Sequence, residues 1–469
     1  MEFIYYDLGF LVLFSLIVGL FLYKNRKKLQ IENKILLLYR TSFGLNFIER
    51  MSKKSPWIFR TLAVLSIASG FILMIIAIYM LLETIRLIWT SVVVIKVPPL
   101  MPLVPYLPSL FKIEFLPPFY FTYWIISIAI VAICHEFMHG VFARFYNVKL
   151  KSTGFGFLGP FLAAFVELDE KKLEKKPVKS QMAVLSGGSF ANLIISILFL
   201  ILMNGFFAAT FVQAGVTVPQ LNVDGIIIPS YILAAANTTS LTYNGNPINL
   251  TSLSLENKTE FKLDGKNRSY YMTREILSIT PKNSSILIVY MDSPAYRLKI
   301  NGTIQKINDK EIKNFSDFKN AMSPLSPYEN ISIETSEKNY TVELVADPNN
   351  SSRAVIGIGF PEEEQKSGAF ASLVKKFVTK KDAFTNYAPI SALSIFIYNL
   401  LLWIVLINVS VMFVNMLPFS IFDGGRFFYL FLFSLTKSKK KAMKGFKIAN
   451  MLILLILIAL MAVWLFRTF

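Results

Sequence analysis

Six long apolar stretches constrain the fold of this chain more than any other feature of its sequence. Each has about 18 or more residues nearly free of charge, the length that a helix needs to cross roughly 30 Å of hydrocarbon. The predicted spans are residues 5–23, 61–82, 119–143, 183–209, 389–416 and 447–466. A chain of 469 residues that is 54% hydrophobic is too apolar for a soluble protein of this size. The sequence therefore predicts a multi-pass α-helical membrane protein with about six transmembrane helices.

The chain has a net charge of +18, and many of its basic residues lie close to the ends of these spans. Basic residues cluster after the first and third spans and before the second, fourth and last, without a nucleic-acid-binding fold signature, so we expect no nucleic-acid partner. The positive-inside rule makes these segments cytoplasmic, which places both termini outside and a large external domain between spans four and five. Lysines between 366 and 381 run against this orientation, although long translocated domains largely ignore their own charge. Lys24–Lys28 follow the first span without a cleavage pattern, which indicates a retained anchor.

Residues 214 to about 360 are polar and rich in Asn, Ser and Thr. Alternating apolar runs such as Ser285–Tyr290 predict short strands, so we expect an inserted β-rich domain. About eleven Asn-x-Ser/Thr sequons fall here, against one elsewhere at Asn408, where chance predicts roughly three or four. The excess favours a glycosylated extracytoplasmic face, and hence an archaeal or eukaryotic cell. The sequons include Asn237, Asn249, Asn257, Asn267, Asn283, Asn301, Asn314, Asn330, Asn339 and Asn350.

Part of this insert resembles the middle of a PDZ domain. The similarity runs from Ser293-Pro294-Ala295 through Ile304–Ile312 to Phe318. We expect a turn with Pro, a strand, a tight Asn308-Asp309 turn and a helix whose Phe318 and Met322 face the sheet.

An imperfect repeat of this pattern at Ser240–Ile248 indicates a second, degenerate copy. PDZ domains bind extended chains or free C-termini by adding a strand to a sheet edge. A β-rich spacer without a ligand is the alternative, and the sequence does not identify peptide-binding residues.

The third span contains His135-Glu136-Phe-Met-His139. Residues i and i+4 lie on one helix face, so His135 and His139 can bind one zinc ion. Glu136 lies about 100° round the helix from His135, close enough to take a proton from metal-bound water. These are the only two histidines in the chain. An ionisable group at mid-membrane costs at least about 2.5 to 3.5 kcal/mol, so Glu136 requires a partner such as a cation.

The single cysteine, Cys134, excludes an internal disulfide. Its thiolate is an alternative ligand beside His135. However, it points to a different helix face from His139, and we prefer a small packed apolar side chain.

A catalytic zinc usually has a third protein ligand, and apolar spans rarely carry Asp. The candidate is Asp423, within Asn415–Arg426. Pro418 should break the fifth helix, and Gly424 and Gly425 let the backbone turn closely. Such an irregular segment at membrane depth persists only when it is buried in protein or lines a wet cavity. A simple cytoplasmic turn is the alternative.

Together these motifs resemble the site-2 protease family. Its paired signature is His-Glu-x-x-His in one span and Asn-x-x-Pro-x-x-x-x-Asp-Gly in a later one. Gly188–Asn192 resembles the family's Gly-x-x-x-Asn element, with Ser189 where Pro is frequent. Gly154–Asp169 is similar to its membrane-associated hairpin. The catalytic resemblance covers about 119–210 and 385–436.

The resemblance implies an intramembrane zinc metalloprotease with one Zn²⁺ per chain. The implied ligands are His135, His139 and Asp423, with Glu136 as general base. The implied activity is hydrolysis of peptide bonds in or near transmembrane segments, as in regulated intramembrane proteolysis.

The resemblance assigns roles less directly to two asparagines and to four residues that shape the motifs. Asn192 and Asn415 could hold the substrate strand or donate to the oxyanion, or they could form hydrogen bonds between helices. The residues that shape the motif are Gly188, Pro418, Gly424 and Gly425.

We expect five segments, with the active site toward the cytoplasmic leaflet because His135 lies roughly 24 Å along its helix. Residues 1–118 hold two transmembrane helices with cytoplasmic and Pro-rich external loops. Residues 119–213 and 366–436 form the catalytic core, on either side of PDZ-like residues 214–365. Residues 437–469 form a basic cytoplasmic loop and a last helix.

Three alternatives remain at this stage. A metalloprotease with a Glu ligand lacks a well-placed Glu motif, and a metal transporter needs ionisable residues spread across the bilayer. A non-catalytic scaffold is disfavoured by the intact Glu136. The expected partners are transmembrane protein substrates, the lipid bilayer and a peptide or C-terminus at the PDZ-like domain. A separation above roughly 10 Å between Asp423 and the imidazoles would contradict the prediction that the three side chains bind one metal ion.

Overall fold

The computed structural model describes residues 3–32, 36–90, 98, 101–111, 113, 116–158, 161–218, 242–243, 246–247, 260–264, 269–273, 290–347, 350–358, 360, 382 and 384–468. The chain divides into two compact units. One unit comprises Met1–Thr90, Ile95–Phe206 and Ile395–Phe469, and it is mainly helical. The other comprises Ser91–Val94 and Phe207–Ser394, and it is rich in β-strand.

The described residues contain twelve α-helices, numbered in chain order. They are α1 Phe3–Asn25, α2 Leu45–Ser52, α3 Pro56–Thr90, α4 Leu107–Leu110, α5 Phe121–Phe145, α6 Glu170–Glu174, α7 Val178–Thr210, α8 Pro294–Arg297, α9 Phe315–Met322, α10 Ala392–Asn415, α11 Asp423–Thr436 and α12 Lys439–Thr468.

Six of these helices are long and apolar enough to cross a membrane: α1, α3, α5, α7, α10 and α12. The six predicted spans are thereby confirmed, and a multi-pass membrane protein follows. Several helices extend beyond their predicted bounds, as α3 does over Pro56–Thr90 against 61–82. The basic stretch 437–447, expected to be a loop, lies mostly within α12, which begins at Lys439. Lysine is a good helix former, and backbone hydrogen bonding continues past the end of an apolar run.

Among these six helices α5 is the most enclosed. In its most apolar stretch 44% of the residues are buried, against 11% in α1 and α7. Its buried residues include Val131, His135, His139 and Phe142. Polar histidines therefore lie on the face that packs against protein.

Asp7 joins α1 to the first turn of α5. Its carboxylate accepts hydrogen bonds from the backbone N–H groups of Phe121 and Thr122, both at 2.8 Å, and from the hydroxyls of Tyr106 and Thr122, both at 2.5 Å. The first N–H groups of a helix lack partners within the helix, and a negative charge at this end suits the helix dipole. Asp7, only 1% exposed, thus caps α5 from another helix. Burial and the Asp7 carboxylate raise the pKa of Tyr106.

A four-stranded antiparallel sheet belongs to the helical unit. Its order is β1-β2-β3-β4, formed by β1 Leu29–Glu32, β2 Leu36–Thr41, β3 Leu150–Leu158 and β4 Phe161–Leu168. The hairpin expected at Gly154–Asp169 corresponds to β3 and β4, and two unexpected strands from before α2 extend it. Gly154 is required where β3 meets β2, because an added Cβ would contact the carbonyl oxygen of Tyr39.

The β-rich unit contains the remaining described strands. They are β5 Phe211–Thr217, β6 Thr242–Tyr243, β7 Asn246–Pro247, β8 Glu260–Asp264, β9 Ser269–Thr273, β10 Tyr290–Met291, β11 Thr303–Ile307, β12 Lys310–Glu311, β13 Asn330–Thr335, β14 Asn339–Glu343, β15 Val345–Asp347, β16 Asn350–Val355 and β17 Thr385–Pro389. One sheet has the order β14-β13-β11-β5-β17, with β12 paired to β11. A second has the order β10-β9-β8-β6-β7, and β15 pairs with β16.

Alternating side chains build the core of the larger sheet. Ile331 and Ile333 of β13 are buried and alternate with exposed or half-exposed residues, and Phe318 of α9 belongs to the same core, with Met322 partly buried against it. The expected β-rich domain and the helix facing its sheet are confirmed. At the tight turn Asn308 adopts a left-handed φ of 51°.

The expectation of a turn at Ser293-Pro294 was wrong. Pro294 begins the short helix α8, and the Ser293 hydroxyl caps it by accepting from the backbone N–H of Tyr296. Proline suits this position because the first residue of a helix has no N–H partner to lose.

Several sequence predictions lie outside the described residues. They include most of Ser285–Tyr290, most of the imperfect repeat at Ser240–Ile248, and the lysines between 366 and 381. Five predicted sequons also lie there: Asn237, Asn249, Asn257, Asn267 and Asn283. Asn408 is described and is completely buried in α10.

Candidate metal centre

α5 presents both histidines toward one point. His135 and His139 are 7% and 8% exposed, and their Nε2 atoms lie 3.0 Å apart. They are one helical turn apart, which stacks their side chains on the same face.

Asp423 reaches this point from the first turn of α11. α10 ends at Asn415, three residues before Pro418, as expected from the proline. The chain then folds back on itself. A Cβ on Gly424 would contact the backbone of Met416 and Leu417, and one on Gly425 the backbone of Phe419. Both positions therefore require glycine for a close approach of backbone to backbone.

The three side chains form a compact donor set. Asp423 Oδ2 lies 3.3 Å from His135 Nε2 and 3.2 Å from His139 Nε2. Two ligand atoms about 2.0 to 2.1 Å from a tetrahedral zinc lie roughly 3.3 Å from each other. The donor spacing thus fits three corners of one zinc coordination tetrahedron, and the donor types are those of catalytic zinc sites. Within the described part of the chain this is the one cluster of three or more such groups that could hold a metal, and Cys134 is not in it.

One face of α7 supports both imidazoles. The backbone carbonyl of Val184 lies 2.7 Å from His139 Nδ1, and the amide Nδ2 of Asn192 lies 3.1 Å from His135 Nδ1. Gly188 lies midway between them, and a Cβ there would contact both rings. Val184, Gly188 and Asn192 are spaced by four residues, so they lie along one helix face. When Nδ1 carries the proton and donates it to such a partner, Nε2 keeps a free lone pair for a metal.

Glu136 is half-buried and held by the sheet. Its Oε2 accepts a hydrogen bond of 2.9 Å from the backbone N–H of Val166 in β4. The adjacent Glu167 is fixed by hydrogen bonds from Ser152 at 2.7 Å and Arg40 at 3.0 Å, which lower the pKa of its carboxyl. The strand that holds Glu136 is therefore tied to β2 and β3 at the residue next to this contact.

Arg426, three residues after Asp423, links α11 to α6. Its guanidinium forms ion pairs with Glu170 and with Glu174, the latter at 3.6 Å. α6 directly follows β4, so one ion-pair group connects the helix of Asp423 to the strand that holds Glu136.

Asn415 lies on the opposite side of His135 from Asn192. Its Nδ2 is 3.5 Å from Nε2, the nitrogen that faces Asp423. The structure thus brings Asp423, Asn192 and Asn415 together around the two histidines, but it places the two asparagines at different ring nitrogens.

A model of peptidase family M50 matches residues 123–460, more than half of the chain. The chain belongs to peptidase family M50. This is the site-2 protease family, a family of membrane zinc metalloproteases, and the M50 match includes the β-rich insert as well as the catalytic segments.

One relative of this family member is a protein from Methanocaldococcus jannaschii that is named only as uncharacterized. The two are 30% identical over 197 residues, which cover 39% of this chain and 48% of the relative. The chain therefore matches about half the length of that relative.

Sequence reasoning missed the backbone groups of the M50 site. The carbonyl of Val184 and the N–H of Val166 have no side-chain signature. Asp7 carried a signal that could have been used, because a charged residue within an apolar span is a functional or structural site by default.

Proposed function

We propose that this M50 peptidase is an intramembrane zinc metalloendopeptidase that cuts other membrane proteins in or near their transmembrane segments. The observation that carries the proposal is the convergence of three donor atoms, from His135, His139 and Asp423, within 3.3 Å of one another. Two of them lie on α5, a helix long and apolar enough to cross a membrane. A hydrolytic centre at membrane depth suits substrates that are themselves in the membrane.

The three ligands would hold zinc, which supplies Lewis acidity that lowers the pKa of water and polarises a peptide carbonyl. Glu136 accepts the proton of the attacking water and delivers it to the leaving amine nitrogen, first as base and then as acid. The N–H of Val166 keeps its carboxylate in one orientation. The amide of Asn415, on the Nε2 side of His135, donates to the developing oxyanion or to the substrate backbone.

β4 offers an edge for the substrate. A helical substrate hides its carbonyls in its own hydrogen bonds, so it must unwind into an extended strand before hydrolysis. Since the N–H of Val166 points away from β3 to Glu136, the alternating positions Ala164 and Leu162 present their backbone groups along the same edge. A substrate strand paired there would pass beside Glu136.

We also propose that the β-rich unit contains a PDZ-like domain that binds an extended peptide or free C-terminus. In support, a cleft of about 990 Å³ lies between α9 and the segment around β16. Apolar side chains line it, including Phe318, Met322 and Ile358, with Lys319 and Arg353 beside them. This combination suits a chain that ends in an apolar residue and a carboxylate.

The same domain could exclude substrates with bulky external domains and admit those that another protease has trimmed. Deletion of residues 225–355 should then accelerate cleavage of untrimmed substrate without changing cleavage of a trimmed one. An unchanged rate for the untrimmed substrate would contradict the exclusion role.

For the orientation, we propose that the β-rich unit is extracytoplasmic and the catalytic centre is near the cytoplasmic leaflet. In a Cys134→Ala background, Glu337→Cys and Lys440→Cys introduce thiols at two exposed positions. In intact cells a membrane-impermeant maleimide should label the first, while the second should require permeabilisation. The reverse pattern would invert the topology.

The central test is cleavage of a single-span model substrate by the purified full-length protein. Glu136→Gln should retain zinc and lose at least about 100-fold in rate, the usual contribution of a general base. Asp423→Ala should lose both zinc and cleavage. Zinc binding without cleavage of any substrate in a single-span library would favour a scaffold, and zinc flux into proteoliposomes would favour a transporter.

A further inference from the structure

The two asparagines near His135 differ in which ring nitrogen they contact. Asn192 lies 3.1 Å from Nδ1 and is completely buried, whereas Asn415 is half-buried and lies 3.5 Å from Nε2. Nε2 is the atom that faces His139 and Asp423. A group at Nδ1 is therefore behind the imidazole, turned away from the position where a metal and a scissile carbonyl would lie.

The partner of His139 provides an internal comparison. Its Nδ1 faces a carbonyl oxygen, that of Val184, which can only accept a hydrogen bond. Nδ1 of His139 must then carry the proton, and Nε2 is left as the metal-binding lone pair. His135 needs the same tautomer to bind the same ion.

The amide of Asn192 can impose that tautomer. In the structure its Nδ2 is the atom next to His135 Nδ1, and its Oδ1 is buried without a hydrogen-bond partner in the described part of the chain. Rotation of the amide by 180° exchanges nitrogen and oxygen in nearly the same space. Oδ1 then accepts the Nδ1 proton, as the Val184 carbonyl does for His139.

We propose that Asn192 is a positioning residue that accepts the Nδ1 proton of His135 and so fixes Nε2 for zinc, and that it does not contact substrate. The proposal rests on the proposed zinc chemistry and assigns one of its supporting groups. It also assigns α7 the role of orienting both imidazoles. Val184 and Asn192 orient one imidazole each, and Gly188 between them leaves room for both rings.

The test is zinc affinity, measured by chelator competition on the full-length protein in detergent. Asn192→Ala should weaken zinc binding about 10- to 100-fold, the usual loss when a group that orients a metal ligand is removed. Asn192→Asp should bind zinc at least as tightly as the wild type, because a carboxylate also accepts the Nδ1 proton. This conservative replacement guards against a variant that fails to fold. Asn415→Ala is the matched control and should keep wild-type zinc affinity.

Cleavage at saturating zinc gives the second readout. A positioning role predicts that Asn192→Ala regains most of its kcat once zinc is saturating, whereas Asn415→Ala stays slow at every zinc concentration. Unchanged zinc affinity in Asn192→Ala, or a kcat that stays low at full zinc occupancy, would overturn the assignment. Weaker zinc binding by Asn192→Asp than by the wild type would do the same. A wild-type protein that binds no zinc would instead refute the proposed function itself.

Discussion

The helical unit and the β-rich unit distribute their polar side chains in opposite ways. In the helical unit the exposed surface is apolar, with Ile75 and Ile201 each more than 60% exposed, while Asp7, His135 and Asn192 are buried. In the β-rich unit the core is aliphatic, with Ile304, Ile331, Ile333 and Leu344 at 1% exposure or less. Buried carboxylate, imidazole and amide groups are thus a feature of the helical unit, whereas aliphatic side chains dominate the core of the β-rich unit.

The difference follows from the surroundings of each unit. A membrane helix gains no hydrophobic free energy by moving an apolar side chain from lipid to protein, so its packing depends on close contact and on hydrogen bonds. A sheet in water gains about 25 cal/mol per Å² of apolar area that it buries. The information about function in the helical unit is therefore concentrated in its few buried polar groups.

The largest expected effect is that of Asp7→Ala. It removes a single acceptor from four buried or half-buried donors at the start of α5. We expect a loss of about 3 to 5 kcal/mol in unfolding free energy, since a buried donor without an acceptor costs about 1 to 3 kcal/mol. Unfolding by denaturant in detergent measures it. Tyr106→Phe removes one of the four donors and should cost about 1 kcal/mol. Equal stability of Asp7→Ala and the wild type would show that buried polar groups do not stabilise the helical unit as this comparison requires.

In the β-rich unit the sensitive change should be apolar. Ile333→Ala in β13 creates a cavity at a completely buried position. We expect a destabilisation of about 2 to 5 kcal/mol, measured as the unfolding free energy of this unit. Thr341→Ala, at an exposed position of the adjacent strand, should change it by less than about 0.5 kcal/mol. Similar effects for both variants would show that this core is not packed as described.

At the metal centre the sensitive position is a glycine. Gly188→Ala places a methyl group against both imidazoles, so we expect zinc affinity to fall about 100-fold, which corresponds to about 2.7 kcal/mol. Gly205→Ala is the control on the same helix, because a Cβ there meets nothing within 4 Å. Equal zinc affinity for the two variants would mean that α7 does not confine the rings.

The smallest expected effect compares a buried polar side chain with an exposed apolar one on the same membrane helix. Ser66 of α3 and Ser186 of α7 are completely buried and share a hydrogen bond of 2.7 Å. Ser66→Ala should cost about 0.6 kcal/mol, the usual value for such bonds in membranes. Ile75→Ala, exposed on the same helix, should change stability less, since its side chain gains little from folding. A larger loss for Ile75→Ala would show that this exposed face is a packing surface.

Local patterns made much of the fold predictable. The six apolar runs predicted the six long helices, Pro418 predicted the end of α10, and the polar composition with alternating apolar runs predicted a β-rich insert. The errors occurred where two local signals compete. Ser293-Pro294 suits a turn and a helix start equally, and the lysines before the last span suit a loop and a helix equally.

The sequence by itself determined the membrane helices, the residues able to bind zinc and the break that brings a carboxylate to a helix start, because each depends on residues close together in the chain. The tertiary structure decided how these residues are held. The carbonyl behind His139 comes from Val184, 45 positions away, and Asp423 meets His135 across 288 positions. Backbone groups and such distant pairs have no period or composition of their own, so only the packing of α5, α7, α11 and β4 could select them.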